Sequence, residues 1–499
     1  MTDFHHRGKF LQIVSLLLVS YFMLLFQSIA QERDPLNVLF IAVDDLRPEL
    51  GAYGKAYAIT PHMDRLASQS SLFTNHYVTV PTCGASRYSL LVGKLPQSRH
   101  DLSNMAAVHQ LARKPESERR KTFIQDFREK GYYTVGIGKI SHHPDGYVYE
   151  YDQPKSDLIE LPGSWDEMLF NPGKWETGHN AFFGYADGSN RTDRNKQVKP
   201  YEMAEVSDDG YADGLSAQLA ITKLQELKAK NQPFFLGVGF FKPHLPFTAP
   251  KKYWDLYDPE EIPLAPFPAI PQGSSRASLI QSGEFNQYAL GEEKAGLDQA
   301  VSEDYARKLR HAYLASVSYV DAQIGKVLDE LERLGLAENT VIVLWGDHGW
   351  HLGDQLVWGK HTLFESALRS VLMIKAPGIP AAKIKQVVST LDIYPTLLDL
   401  TGNADDSDLD GKSLVGLMKN SQSENWRNTA YSYFNQGISL RTPTHRLTQY
   451  FRSESPEFEL YDLTQDPNET QNIASYSPQV FGVLKALLDA GNTGLFEDQ

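Results

Sequence analysis

The sequence predicts an α/β fold, with a mixed or parallel central sheet flanked by helices and a small antiparallel sheet near the C-terminus. Four continuous apolar runs have the length and composition of strands buried on both faces, as in a parallel sheet covered by helices. Helical patterns separate these runs, whereas the chain beyond about residue 425 carries short alternating stretches. These patterns indicate one large sheet-based domain followed by a smaller one.

The N-terminus has the pattern of a secretion signal. A basic start precedes an apolar run over residues 10–26, and Gln27–Ala30 supplies small residues for cleavage before Gln31. We therefore expect residues 1–30 to be a signal peptide, and the mature protein to be periplasmic or extracellular without membrane contact. An uncleaved anchor is the alternative, because the apolar run is nearly long enough to span a bilayer.

The four apolar runs share one layout, because each is followed by charged or imidazole side chains. Asp44 and Asp45 follow the run Asn37–Val43, and Lys139 and His142 follow residues 132–137. His244 follows residues 233–241, and Asp347 and His348 follow residues 340–345. Open α/β sheets bind ligands beyond the carboxyl ends of their strands. Four such ends together predict one shared site.

The helical segments are predicted to be scaffold. The longest runs from Ser302 to Leu334, with a serine cap, acidic residues in the first turn and an apolar stripe. Further helices are predicted at residues 121–131, Ala212–Lys230 and Asp392–Leu400.

We expect a catalytic domain over residues 31–424 and a C-terminal subdomain over residues 425–499. In the subdomain, strands are predicted at Ala430–Phe434 and at residues 448–452 and 457–461, with a closing helix at Gln479–Ala490. Two long insertions, at about residues 144–207 and 250–298, are rich in Gly, Pro and aromatic residues. Loops of this size often shape binding sites, with disorder as the alternative.

The charge balance excludes one class of partner. The net charge is −14, so no basic surface is expected to attract nucleic acid. An anionic substrate would therefore have to be bound by a local cluster of positive groups.

The strand-end acids form a candidate metal site. Asp44, Asp45 and Asp347 favour a hard ion such as Ca²⁺ or Mg²⁺. The imidazole of His348 is less usual for calcium, and it keeps a zinc-type phosphohydrolase open as an alternative.

Cys83 is the only cysteine, so its presence must reflect packing or chemistry. It opens the segment Cys83-Gly-Ala-Ser-Arg87, in a polar loop that we expect to be a poor core site and to lead into a short helix. Residues 83–93 resemble the sulfatase signature C-x-[PA]-S-R-x-x-[LF]-x-x-G, with Ala85 where many members have proline and Val92 where Thr or Ser is common.

Segments elsewhere resemble the iduronate-2-sulfatase branch of the sulfatases. They are Val43–Pro48, Gly138–His142, Lys242–Phe247, Gly346–Asp354, Trp358–Glu365 and Leu460–Leu463. The resemblance covers essentially the whole mature chain and implies a fold like that of alkaline phosphatase. It also implies one Ca²⁺ ion bound by Asp44, Asp45, residue 83, Asp347 and His348.

The resemblance further implies the catalytic roles. A maturation enzyme would oxidise Cys83 to Cα-formylglycine (3-oxoalanine), whose hydrate is the nucleophile. Arg87, Lys139 and Lys360 would surround the sulfate. His244 would protonate the leaving alcohol, and His142 would act as the base during sulfate release.

We therefore expect an exported sulfatase that acts on a sulfated carbohydrate, such as a 2-O-sulfated uronic acid. Two alternatives remain at this point. One is a phosphatase or phosphonate monoester hydrolase of the alkaline phosphatase superfamily, and the other is a catalytically inactive sugar-binding relative.

Overall fold

A nine-stranded mixed sheet forms the centre of the fold. The computed structural model describes residues 35–404 and 408–496, and the predicted signal peptide (residues 1–30) lies outside the described residues. The strands are β1 (Asn37–Val43), β2 (Ser71–Tyr77), β3 (Tyr133–Gly138), β4 (Glu167–Leu169), β5 (Tyr201–Ala204), β6 (Phe234–Phe240), β7 (Phe247–Pro250), β8 (Thr340–Gly346), β9 (His351–Leu352), β10 (Trp358–Gly359), β11 (Arg369–Ser370), β12 (Leu372–Lys375), β13 (Ala382–Ser389), β14 (Ala430–Phe434), β15 (Gly437–Arg441), β16 (His445–Tyr450) and β17 (Glu457–Asp462).

Helices cover the sheet and the loops at its ends. They are α1 (Pro61–Ser68), α2 (Cys83–Val92), α3 (Phe123–Glu129), α4 (Gly178–Phe182), α5 (Ala212–Lys230), α6 (Lys251–Trp254), α7 (Gly283–Asn286), α8 (Glu303–Arg333), α9 (Glu365–Leu368), α10 (Ile393–Leu400), α11 (Val415–Lys419) and α12 (Pro478–Ala490).

The four predicted strands are neighbours in the sheet. They run in the order β8-β1-β6-β3, and each adjacent pair is parallel. Beyond β8, strand β12 is antiparallel to both β8 and β2, which makes the sheet mixed. The predicted fold class is confirmed, and the carboxyl ends of the four strands meet at one edge of the sheet.

Strand β1 shows why these runs are mainly apolar. Leu39, Ile41 and Val43 pack into one core with residues of α5 and α8. The alternate residues, from Val38 to Ala42, face a second core that is closed by α2, α3 and α10. A strand buried on both faces has no solvent side, so β1 is apolar between Asn37 at its start and Asp44 beyond its end.

Helix α8 supports the sheet as predicted. It spans Glu303–Arg333, one residue inside the predicted range at each end. The hydroxyl of Ser302 accepts a hydrogen bond from the backbone N–H of Tyr305 at 3.3 Å, which caps the first turn.

The C-terminal region contains a four-stranded antiparallel sheet in the order β14-β15-β16-β17, followed by α12. Strand β15 was not predicted, and β16 begins at His445, three residues before the predicted start. Each strand is short, so its identity depends on the partners with which it pairs. The domain boundary at residue 425 stays a prediction. Within the part of the chain that is described, no helix has the length and apolarity needed to cross a membrane.

Candidate active site

A cavity of about 560 Å³ opens at the carboxyl edge of the central sheet. Its lining includes Cys83, Lys139, His142, His244 and Lys360. All five were predicted as catalytic residues. The structure therefore brings together side chains from α2 and from the ends or following loops of β3, β6 and β10.

Cys83 is the first residue of α2, and it is 2% exposed. The expectation of a polar loop that would make a poor core site is wrong, because the whole of α2 is buried. Gly84 permits this packing, since a Cβ there would lie 2.2 Å from the backbone oxygen of Asn104. Burial, together with the nearby Asp44 carboxylate, raises the pKa of the Cys83 thiol to about 12. The unmodified thiol is therefore protonated at neutral pH and is a weak nucleophile.

Four of the five predicted metal ligands form one compact group. Ligand atoms of Asp44, Asp45, Cys83 and His348 all lie within 4.8 Å of one another, and all four residues are buried. Two ligands on opposite sides of one Ca²⁺ ion are about 5 Å apart, so a single ion fits within this spacing. Asp347 adjoins the group, with Oδ1 3.8 Å from Nε2 of His348.

The hydrogen bonds around the group leave ligand atoms available. Nδ1 of His348 lies 2.9 Å from the carbonyl oxygen of Gly349, which can only accept, so Nδ1 carries the proton and Nε2 presents its lone pair. Oδ1 of Asp44 is buried and accepts no hydrogen bond from a described residue. Burial raises the pKa of Asp45 well above its usual value, despite Lys360 nearby. A bound cation would satisfy all three groups, so the donor set fits a metal ion.

Sulfur is the poor match in this set. Calcium binds oxygen ligands, whereas a thiolate favours softer ions. If residue 83 carried an oxygen in place of sulfur, the ligands would be carboxylate oxygens, the oxygen of residue 83 and one imidazole, a set that suits a hard cation.

Two lysines in the cavity are held in the charged state. Nζ of Lys360 lies 3.0 Å from Oδ1 of Asp45 and 3.3 Å from Sγ of Cys83. Nζ of Lys139 forms an ion pair with Asp44. Burial alone would lower the pKa of both lysines, but these carboxylates raise it above its ordinary value. Both therefore present a full positive charge beside Cys83.

Arg87 is fully buried and is not among the residues that line the cavity. Its Nε donates to Oδ2 of Asp347 at 2.9 Å, and its Nη1 donates to the backbone carbonyl of Ile140 at 3.3 Å. This guanidinium orients Asp347 and contributes positive charge near Cys83.

Two histidines face the cavity from different loops. Nδ1 of His244 lies 2.6 Å from the carbonyl oxygen of Leu245 and therefore carries a proton, while Nε2 lies 3.0 Å from Oε1 of Glu284. Burial, with Lys360, lowers the pKa of His244 to about 4, and Glu284 opposes this shift. Burial, with the charge of Lys139, lowers the pKa of His142 well below its usual value. A neutral His142 can accept a proton. His244 is also neutral at pH 7, so its Nε2 would first have to gain a proton, which the nearby Glu284 favours, before the ring could donate it.

Several cavity residues were not predicted individually. Tyr151, Phe182, Phe183 and Arg191 come from the first long insertion, and Glu284 comes from the second. The prediction that both insertions shape the site agrees with this placement. No local motif marks these residues, so only their origin in large insertions could have indicated them.

Comparisons with known proteins agree on one family. The sulfatase family model matches residues 36–403, and a model described as N-sulphoglucosamine sulphohydrolase, C-terminal, matches residues 346–490. Iduronate 2-sulfatase of Mus musculus is 33% identical over 428 residues, which cover 77% of this chain and 73% of that protein.

Two solved structures support the fold. One is a complex with the substrate D-glucosamine-2-N,6-O-disulfate, with a TM-score of 0.69 and 21% identity over 93% of this chain and 99% of that one. The other is the phosphonate monoester hydrolase of Agrobacterium radiobacter, with a TM-score of 0.72 and 24% identity over 91% of this chain and 95% of that one.

The predicted resemblance is thus confirmed by the extent of the family match and by the relative's identity. The chain belongs to the sulfatase family of sulfuric ester hydrolases and is similar, within that family, to the iduronate 2-sulfatases.

Proposed function

We propose that this protein is an exported sulfatase that hydrolyses a sulfate ester of a sugar, with formylglycine at position 83 and one Ca²⁺ ion. The observation that carries the proposal is the position of Cys83. Its sulfur lies within the acid–imidazole group that fits a cation and 3.3 Å from Nζ of Lys360, and Cys83 lines a cavity of about 560 Å³ together with Lys139 and Lys360.

The proposed ligands are Asp44, Asp45, residue 83, Asp347 and His348. When bound, Ca²⁺ would polarise a sulfate oxygen and favour the ionised form of a nearby hydroxyl. Formylglycine, as its hydrate, would supply that hydroxyl where the buried thiol is a weak nucleophile.

The chain's own cations bind and orient the sulfate. Lys139 and Lys360 line the same cavity as residue 83, and their amino groups can donate to sulfate oxygens. Negative charge grows on these oxygens during ester cleavage, so fixed positive groups stabilise the transition state more than the bound ester. Arg87 adds positive charge near residue 83 and holds Asp347 in place.

The histidines move the protons. Nε2 of His244 faces the cavity with Glu284 at 3.0 Å. The ring is neutral in the free site, and the negative charges of Glu284 and of a bound sulfate would favour a proton at Nε2, which the ring would then deliver to the leaving oxygen. His142 lines the cavity near Lys139, and its lowered pKa keeps the ring neutral and able to take a proton from residue 83 during sulfate release.

A sugar sulfate is the substrate class that the cavity supports. Its volume lies within the range of about 300–1,000 Å³ that is typical of small-ligand sites. Aromatic rings of Tyr151, Phe182 and Phe183 form one wall, which suits the apolar face of a sugar ring. The relative named as an iduronate 2-sulfatase and the complex with a glucosamine disulfate support this class.

The metal set favours a sulfatase over a two-metal phosphatase. One cluster of metal-ligating side chains is present among residues 35–404 and 408–496. Phosphatases that bind both the attacking and the leaving oxygen through metal ions use two ions about 3.5–4 Å apart.

Export is supported by the signal-like pattern over residues 1–30.

Mass spectrometry and sulfate release test the proposal together. Conversion of Cys83 to formylglycine lowers the intact mass by about 18 Da, and active preparations should contain this species. Cys83→Ala should fold normally and release no sulfate from nitrophenyl sulfate or from sulfated sugars. Full activity in a preparation whose Cys83 is an unmodified thiol would refute the proposal.

A further inference from the structure

Arg191 is a buried cation in the wall of the cavity. It lies in the first insertion and is 9% exposed. Its guanidinium carbon lies 3.6 Å from the ring centroid of Phe183 and 5.5 Å from that of Tyr288. Its backbone N–H donates to the carbonyl of Phe183 at 3.2 Å. The guanidinium is therefore held in one position against an aromatic face.

This arginine differs from the other buried arginines in having no acidic partner. Among the described residues, no carboxylate forms an ion pair with Arg191. The comparable side chains each have one: Arg87 with Asp347, Arg310 with Glu49, Arg441 with Glu365, and Arg446 with Glu469. A buried guanidinium without a counter-charge is costly unless a ligand supplies one.

The cavity places this cation within reach of the proposed reaction centre. The ring of Phe183, on which Arg191 stacks, lies 6.0 Å from the ring of His244, the proposed proton donor to the leaving group. The sulfate-binding lysines line the same cavity: Nζ of Lys139 lies 4.5 Å from the ring centroid of Phe182, and Nζ of Lys360 lies 3.3 Å from Sγ of Cys83. One sugar unit with two acidic substituents can therefore contact Arg191 and these lysines at once.

We propose that Arg191 binds a second acidic group of the substrate, a carboxylate or a further sulfate, and makes the enzyme select sugars that carry two anionic groups. This inference rests on the proposed sulfatase function. A guanidinium that stacks by its face keeps its edge N–H groups free, and these match the two oxygens of a carboxylate or sulfate. The cation then determines selectivity, while Lys139 and Lys360 serve the sulfate that is cleaved.

Paired substrates that differ by one acidic group test the inference. The first pair is a sulfated hexuronic acid and the matching sulfated hexose, and the second is glucosamine N,O-disulfate and N-acetylglucosamine O-sulfate. The wild type should have a higher kcat/KM for the doubly charged member of at least one pair. Arg191→Gln should reduce that ratio by about 10- to 100-fold, as expected for a lost charge-assisted hydrogen bond. The pair that responds identifies the acidic group.

Two controls separate recognition from folding. Arg194→Gln changes an exposed arginine three positions along, which pairs with Asp187 outside the cavity, and it should leave both ratios unchanged. Arg191→Lys retains the charge and should keep part of the preference, with a thermal transition close to that of the wild type.

The outcomes are distinct. If Arg191→Gln lowered kcat/KM equally for both members of each pair, or if the wild type did not prefer either doubly charged sugar, the role of Arg191 would be overturned. The sulfatase proposal would remain. Absence of sulfate release from every ester, nitrophenyl sulfate included, would overturn the proposed function and this inference with it.

Discussion

Replacing His244 by alanine tests the proposed proton donor. The ring is buried, and it is oriented by a 2.6 Å contact between Nδ1 and the Leu245 carbonyl and a 3.0 Å contact between Nε2 and Glu284. A general acid fixed in this way contributes about 100- to 10,000-fold to the rate. That range corresponds to about 2.7–5.4 kcal/mol of transition-state stabilisation. We expect His244→Ala to lower kcat/KM on a sugar sulfate by a factor within it.

The leaving group decides the size of the loss. A sugar alkoxide is a poor leaving group and needs the proton, whereas nitrophenolate departs without one. In the same variant, kcat/KM for nitrophenyl sulfate should therefore fall by less than about tenfold, since proton transfer contributes little to the cleavage of this ester.

Initial rates on both substrates, measured with matched metal content, provide the assay. His244→Gln keeps a donor toward Glu284 but cannot release a proton, so it should reproduce the selective loss. His445→Gln, at the start of β16, changes a histidine outside the cavity and should leave both rates unchanged. Equal losses on the two substrates in His244→Ala would refute the acid role and indicate that the ring only shapes the cavity.

Three further predictions follow from the metal group and from a buried ion pair. Asp347→Asn retains an acceptor for Arg87 but weakens the proposed metal ligand, so turnover should fall by about 100-fold or more; undiminished sulfate release would exclude Asp347 as a ligand. Removal of Ca²⁺ by a chelator should abolish activity and lower Tm, because an ion at about 100 times its Kd adds about 2.7 kcal/mol to the stability of the folded state. Full activity in protein shown to be metal-free by elemental analysis would contradict this prediction. Glu160 is fully buried; burial alone would raise its pKa, but His143, 3.1 Å away, holds it at about 2 against an ordinary 4.5. This lowered pKa contributes about 3 kcal/mol to the free energy of unfolding at pH values above the ordinary pKa, and the contribution is lost as the pH falls toward the pKa of the folded state. The free energy of unfolding of Glu160→Gln should therefore fall less steeply at acid pH than that of the wild type. Parallel plots of unfolding free energy against pH for the two proteins would show that the pair adds no stability.

The strand ends show how far sequence reasoning reached. Runs such as Asn37–Val43 are mainly apolar because they are buried on both faces, so their type and their carboxyl ends could be predicted from composition alone. Strand β15 could not, because Gly437–Arg441 is short and is stabilised mainly by pairing with β14 and β16. The burial of Cys83 was also missed, since it arises from the packing of α2 against distant segments.

In the site itself, the residues of the cavity wall could not be predicted from the sequence. Arg191 and Glu284 come from separate insertions, and each is surrounded in sequence by residues without a regular period. Nothing local distinguishes Arg191 from Arg194, yet the former stacks on Phe183 in the cavity and the latter pairs with Asp187 on the surface.

By itself, the sequence determined the fold class, the family and the side chains that follow each buried strand, because periodicity and motifs are local properties that neighbouring residues impose. Only the tertiary structure decided which cations face the cavity, that Arg87 is buried against Asp347 outside the cavity lining, and that Arg191 has no carboxylate partner among the described residues. The physical reason is that electrostatic partners are set by distances in space, and residues far apart in sequence come into contact only when the chain folds.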